Sequence, residues 1–231
     1  MNKLAASILA LAAASGSAQA NLLVDGSFEQ GSFAGGSYGY PLAMQLFGPS
    51  TTITGWTVVG ELAWFQPGQA NLTPQDGNYA LDLTGFCDLA YNGAGYCGSV
   101  GVGAYGGITQ TVATIVGATY HLDFQGGTYG YNGAAPSLVA SAGATSNSYL
   151  LPSGTPTTGS WTAYGFDFVA TGSSTAITFG GSGGAYGLTY YLGVDNAVLE
   201  LVSLPVPEPG RGALMLLGVL LPWAVARRRL R

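Results

Sequence analysis

Thr119-Tyr120-His121-Leu122-Asp123-Phe124-Gln125 is the stretch whose reading decides the fold. Its apolar residues alternate strictly with polar ones, the period of a strand with one buried face. Tyr164, Phe166 and Phe168 alternate with Gly165 and Asp167 in the same way, and Tyr79, Leu81 and Leu83 with Ala80 and Asp82. Further strands are expected over 22–28, 52–59, 61–65, 107–113, 137–142, 175–179 and 194–202. No stretch between residues 21 and 204 carries a helical period with caps. About ten short strands between Gly-rich turns predict an all-β chain folded as an antiparallel β-sandwich. The glycines cluster at 31–40, 90–107, 126–134 and 180–187, which are expected to be loops, and each cluster carries Tyr.

The flanks of this body read as targeting segments. Met1-Asn2-Lys3, the apolar run 4–14 and Ala18-Gln19-Ala20 have the charge, core and small-x-small order of a secretory signal peptide over 1–20, so the mature chain is expected to begin at Asn21 and to pass through the Sec machinery. All six basic residues are Lys3, Arg211, Arg227, Arg228, Arg229 and Arg231. The body, 21–204, therefore holds ten carboxylates and no Lys or Arg. Binding a phosphate backbone requires bases that displace counterions, so nucleic acid is excluded as a partner. Any carboxylate that is buried must find a cation, His121, a hydroxyl, an amide or backbone N–H groups.

At the C-terminus, Val206-Pro207-Glu208-Pro209-Gly210, the apolar run 212–226 and Arg227-Arg228-Arg229-Leu230-Arg231 together resemble the PEP-CTERM sorting signal. That resemblance implies recognition and cleavage by a membrane exosortase, with Pro207, Glu208 and Pro209 as the sorting motif. It divides the chain into the β-domain 21–204 and a sorting segment 205–231. As a helix the run 212–226 measures about 22 Å against a hydrocarbon core of about 30 Å. It is a marginal, transient transmembrane anchor whose arginines stay cytoplasmic. The protein is then expected first at the inner membrane and afterwards at the cell surface or in the extracellular matrix.

Asn21-Leu22-Leu23-Val24-Asp25-Gly26-Ser27-Phe28-Glu29 resembles the opening of DUF642-like and related galactose-binding-like jelly-roll modules. Gly55-Trp56-Thr57-Val58, Asp76-Gly77-Asn78-Tyr79-Ala80-Leu81-Asp82-Leu83, Gly107-Ile108-Thr109-Gln110-Thr111, Gly117-Ala118-Thr119-Tyr120, Trp161-Thr162 and Val194-Asp195-Asn196-Ala197-Val198-Leu199 follow in the same order. The resemblance implies a jelly-roll sandwich on an extracellular protein, associated with polysaccharide binding rather than catalysis. The segments 36–52 and 87–105 depart from the pattern and look like insertions or altered loops.

Several residues are candidates for a site. Cys87 and Cys97, in an exported chain, are expected to form a disulfide. Closing a loop of about ten residues, it stabilises by roughly 2.7 kcal/mol in the chain-entropy account. Asp195 shares strand parity with Leu199 and Leu201, so it is expected to face inward. An inward carboxylate without a base invites a hard cation, and Asp25 and Glu29 are its natural co-ligands for a structural calcium ion. Related jelly-roll modules often hold calcium between the start of the chain and the last strand. The competing reading is that Asp25 and Asp195 cap turns by accepting backbone N–H bonds.

Tyr38, Tyr40, Tyr129 and Tyr131 lie in Gly-rich segments and join a flat apolar face to a hydroxyl, which suits stacking on a neutral sugar. The competing reading is that they pack on the ends of the sandwich. Trp56, Trp64 and Trp161 are expected in the core. His121, the sole histidine, falls on the polar face of its strand. No Gly-x-Ser-x-Gly elbow accompanies it, and no catalytic constellation is evident, so the protein is not read as an enzyme. A carboxylate pair serving glycoside hydrolysis is the remote alternative. A structural matrix component without a discrete ligand is the nearer one.

Ten carboxylates on one base-free domain repel one another, most strongly where salt does not screen them. Raising ionic strength from low to physiological is expected to raise the melting temperature. An unchanged melting curve would remove this charge argument.

Overall fold

The computed structural model describes residues 20–37, 39–68, 72–85, 105–130, 137–152, 159–182 and 190–205. Among the described residues eleven strands run in chain order: β1 (Ala43–Phe47), β2 (Thr57–Val59), β3 (Glu61–Phe65), β4 (Ala80–Asp82), β5 (Gly107–Ala113), β6 (Thr119–Gly130), β7 (Ser137–Ala142), β8 (Thr145–Leu150), β9 (Ser160–Val169), β10 (Ser174–Ser182) and β11 (Tyr190–Ser203). They form two antiparallel sheets, one of six strands in the order β1-β3-β4-β11-β6-β9 and one of five in the order β2-β5-β10-β7-β8. The sheets face each other across a single main core, giving the sandwich that the alternation predicts.

Alternation sets the inward faces. Tyr120, Leu122 and Phe124 of β6 are buried against Phe168 of β9, Leu199 of β11, and Ile177 and Phe179 of β10. An aromatic spine crosses the core: Phe28 meets Trp56 at 5.3 Å between ring centroids, Trp56 meets Phe179 at 6.1 Å, and Phe179 meets Phe124 at 5.0 Å. Phe124 in turn meets Tyr149 of β8 and Tyr164 of β9, which close the open side of the sandwich with rings 4.7 Å apart. Trp56 and Trp64 are core residues, and their indole N–H groups donate to the carbonyls of Asp25 and Phe28.

The expected strand over 22–28 is not formed. Asp25 and Phe28 have φ of 53° and 58°, in the left-handed region, and the chain folds back with the Phe28 N–H donating to the Asp25 carbonyl. Asp25-Gly26 acts as turn chemistry and overrides the apolar run before it. The segment still behaves as a sheet border. Where β4 ends, the Leu22 N–H donates to the Leu199 carbonyl and the Ala197 N–H to the Gly26 carbonyl. The Asn21 carboxamide accepts from the Leu23 and Leu199 N–H groups and donates to the Ala197 carbonyl.

Two strands lie where no alternation announced them. β1 falls within the expected insertion 36–52; Met44 and Leu46 face the main core, and on the other face Ala43 is buried in a second cluster while Phe47 is exposed. β8 is an edge strand whose inward positions are Thr145, Asn147 and Tyr149, of which only Tyr149 is substantially apolar. The glycine clusters at 126–134 and 180–187 are partly strand, since β6 continues to Gly130 and β10 to Ser182. Of 52–59, only Thr57–Val59 is a strand; Ile53 makes an isolated bridge with Gly31.

Asn21→Ala removes three hydrogen bonds that tie the first residues to β11. Leaving the Leu199 amide unsatisfied is expected to cost about 1–3 kcal/mol, read by denaturant unfolding.

Candidate functional site

The outer face of the six-stranded sheet, usually the solvent side of a sandwich, is half covered. Strand register places Ala43 opposite Phe65, Phe65 opposite Ala80, Tyr129 opposite Tyr191, and Gly127 opposite both Gly193 and Trp161. These residues share that face. Ala43, Phe65, Leu72, Ala80 and Tyr129 form a second apolar cluster, with half-buried Tyr40, Trp161 and Tyr191 packed on it. Gly127 and Gly193 form its floor: a Cβ on Gly193 would lie 2.7 Å from Leu72 Cδ2 and 2.9 Å from Trp161 Cη2. Only the bare backbone lets the indole and Leu72 settle onto the sheet. The Trp161 indole N–H donates to the Thr73 carbonyl at 2.7 Å, which fixes the ring. The Tyr129 and Tyr191 rings meet at 5.5 Å.

Three buried carboxylates share this face, and two of them, Asp82 and Asp195, hold backbone in place. Asp82 Oδ1 accepts from the N–H groups of Thr84 and Leu192 and from the Thr84 hydroxyl. Asp195 accepts from the N–H groups of Gln75, Asp76 and Asn196. Glu61 Oε1 accepts from the Gln45 side-chain amide at 2.6 Å. Burial pushes the Asp82 carboxyl up to about 7, against its hydrogen bonds to Thr84 and Leu192 and with the nearby Glu61 adding to the rise. Burial likewise pushes Asp195 up to about 7, opposed by the three amides it caps.

Asp195 is buried, as its parity suggested, but it faces outward. A bulge between Asp195 and Val198, with Asn196 at φ 47°, reverses the parity between it and Leu199. It lies in the outer row with Gln125 and is covered by the 72–79 segment. Asp25 accepts from the N–H groups of Glu29 and Gln30, while Glu29 accepts from those of Asn78 and Tyr79. The oxygens of Asp25, Glu29 and Asp195 are thus directed at amides. Among the described residues no group of three or more His, Cys, Asp or Glu side chains is arranged to hold a metal ion.

The structure brings Tyr40 and Tyr129 into one cluster. Tyr38, Tyr131, Cys87, Cys97, Pro207, Glu208 and Pro209 lie outside the described residues. Trp161 is not in the main core, contrary to expectation. Its odd position on β9 opposes inward Tyr164, Phe166 and Phe168, a signal the sequence carried. Tyr191 gave none, because β11 changes parity between it and Leu199. His121 lies lower on the outer face, clamped between Asp167 on Nδ1 and Asp123 on Nε2, at 2.5 and 3.0 Å. The Asp167 hydrogen bond is the main cause of its raised pKa.

A family model described as "Protein of unknown function (DUF642)" matches residues 21–189. The chain is similar to the solved structure of TmCBM61 in complex with β-1,4-galactotriose, with 14% identity and TM-score 0.43 over 79% of this chain and 99% of that one. It is similar to Family 16 Carbohydrate Binding Module-2, with 20% identity and TM-score 0.40 over 78% and 99%. It is also similar to the CBM22-1 xylan-binding domain from Paenibacillus barcinonensis, with 14% identity and TM-score 0.38 over 70% and 94%. No curated protein matches it.

Asp82 and Asp195, raised from 3.8 to about 7, hold protons in the folded state that the unfolded chain has already released. Their stabilising share is complete below pH 3.8 and lost as pH rises through about 7. His121, also raised, acts in the same direction. The domain is expected to melt on the order of 5 °C higher at pH 5 than at pH 8. Asp82→Asn is expected to flatten that profile; an undiminished slope in this variant would exclude Asp82 as a source.

Proposed function

This chain belongs to the DUF642 family, and we propose that it is an exported surface protein that binds a neutral polysaccharide through the outer face of its six-stranded sheet. The observation that carries the reading is the set of half-buried rings of Tyr40, Trp161 and Tyr191 beside Tyr129, with glycines beneath them. Flat rings stack on the C–H faces of sugars, and amides at the rim of the cluster set orientation. Gln125 and Gln45 on the same face add amides suited to sugar hydroxyls. The chemistry also selects against acidic glycans. Glu61, Asp82 and Asp195 lie on this face, and the body has no Lys or Arg to pair a uronate or sulfate.

In this reading the leader 1–20 sends the chain through the Sec machinery, and an exosortase processes the 205–231 segment to release the acidic domain at the cell surface or into the matrix. The mass of the surface form would then lack Arg231.

Pull-down on insoluble neutral polysaccharides, followed by a glycan array, tests binding. Trp161→Ala and Tyr191→Ala are each expected to weaken capture about tenfold, and Trp161→Ala also to lower the melting temperature, since it removes the packing on Leu72 and the hydrogen bond to Thr73. Full capture by both variants would move the site elsewhere. Absence of capture by the parent chain across neutral glycans would favour a structural matrix role.

A further inference from the structure

We propose that the pole of the sandwich from which the C-terminal segment departs docks onto a zwitterionic lipid surface while that segment is still attached. β6 rises from Thr119 to Gly130, whereas β9 and β11 descend to Val169 and Ser203. The aromatic cluster therefore sits near one pole, and the chain leaves at Pro205 near the other, about 30 Å away.

Exposed apolar side chains gather at this second pole. Ile115 and Val116 lie in the turn between β5 and β6, which the Ala118 N–H closes by donating to the Ile115 carbonyl, and Val169, Val202 and Leu204 end β9 and β11; all five are 48–58% exposed. They lie at the same end of the sandwich. Val169 pairs with Thr119 and Thr119 with Ser203, while a Cβ on Gly117 would lie 3.3 Å from Pro205. Exposed apolar groups gathered at one place mark an interaction site.

The occupant follows from the chain beyond Pro205. Six residues separate Pro205 from the apolar run that starts at Gly212, a reach of at most about 20 Å. A bilayer entered by that run is held within reach of this pole, so docking is effectively intramolecular. The N-terminal border points the same way. Leu22 bonds Leu199 and Gly26 bonds Ala197, so from Gly26 back to Leu22 the chain also heads toward this pole. The nearest ionisable groups are Asp167, His121 and Glu200, directly paired in the row above. With no Lys or Arg beside them, contact is apolar rather than phosphate-directed, which favours zwitterionic over anionic lipid.

Hydrogen–deuterium exchange on the full chain in phosphatidylcholine vesicles tests this. Amides of 114–117 and 202–204 are expected to exchange about tenfold more slowly than in the Val116→Glu, Leu204→Glu double variant, with 75–79 unchanged. Ile115→Asn with Val202→Asn serves if the first pair fails to fold. Equal exchange in parent and variant would overturn the proposal. So would equal protection of the parent without vesicles, which would mean that the chain's own tail covers the pole.

Discussion

Buried and half-buried carboxylates without bases are the constraint on which the irregular parts of this domain depend. The body lacks Lys and Arg, so Asp25, Glu29, Asp82 and Asp195 take their hydrogen bonds mainly from backbone amides. Each such bond ties a non-strand segment to something else. Asp195 on β11 holds 75–76, Glu29 holds 78–79, and Asp25 closes the turn in the N-terminal segment. Segments with few apolar contacts of their own are thereby fixed against the sheet, through groups whose burial would otherwise be unfavourable.

The same arrangement shapes the candidate site. The 72–79 segment, held by Asp195 and Glu29, brings Leu72 over Gly127 and Gly193 and presents the Thr73 carbonyl to Trp161. Removing the amide–carboxylate ties would loosen the covering segment before it loosened the sheet, because the main core lies on the opposite face. Stability and site geometry are therefore coupled through these acids. The molecule is polar along its strands, with rings near one pole and exposed aliphatic side chains at the pole where the chain departs.

Local alternation carried much of the fold. β5 and β7 fall at the expected residues, and the inward faces of β6 and β9 follow the pattern of Tyr120, Leu122, Phe124 and of Tyr164, Phe166, Phe168. The outward position of Trp161 was legible from the same parity. β8 was not, because an edge strand closed by a single ring needs little apolar surface. The 22–28 segment misled because three apolar residues in a row read as strand, while Asp25-Gly26 turned the chain.

By itself, the sequence determined the sandwich class and the absence of Lys and Arg from 21–204, since these depend only on residue type and period. Tertiary structure decided which carboxylates meet which amides, that a bulge at Asn196 turns Asp195 outward, and that Tyr40, Tyr129, Trp161 and Tyr191 share one face. These depend on register between strands distant in sequence. A single inserted residue reverses every side chain beyond it, and strand period alone does not reveal where that residue lies.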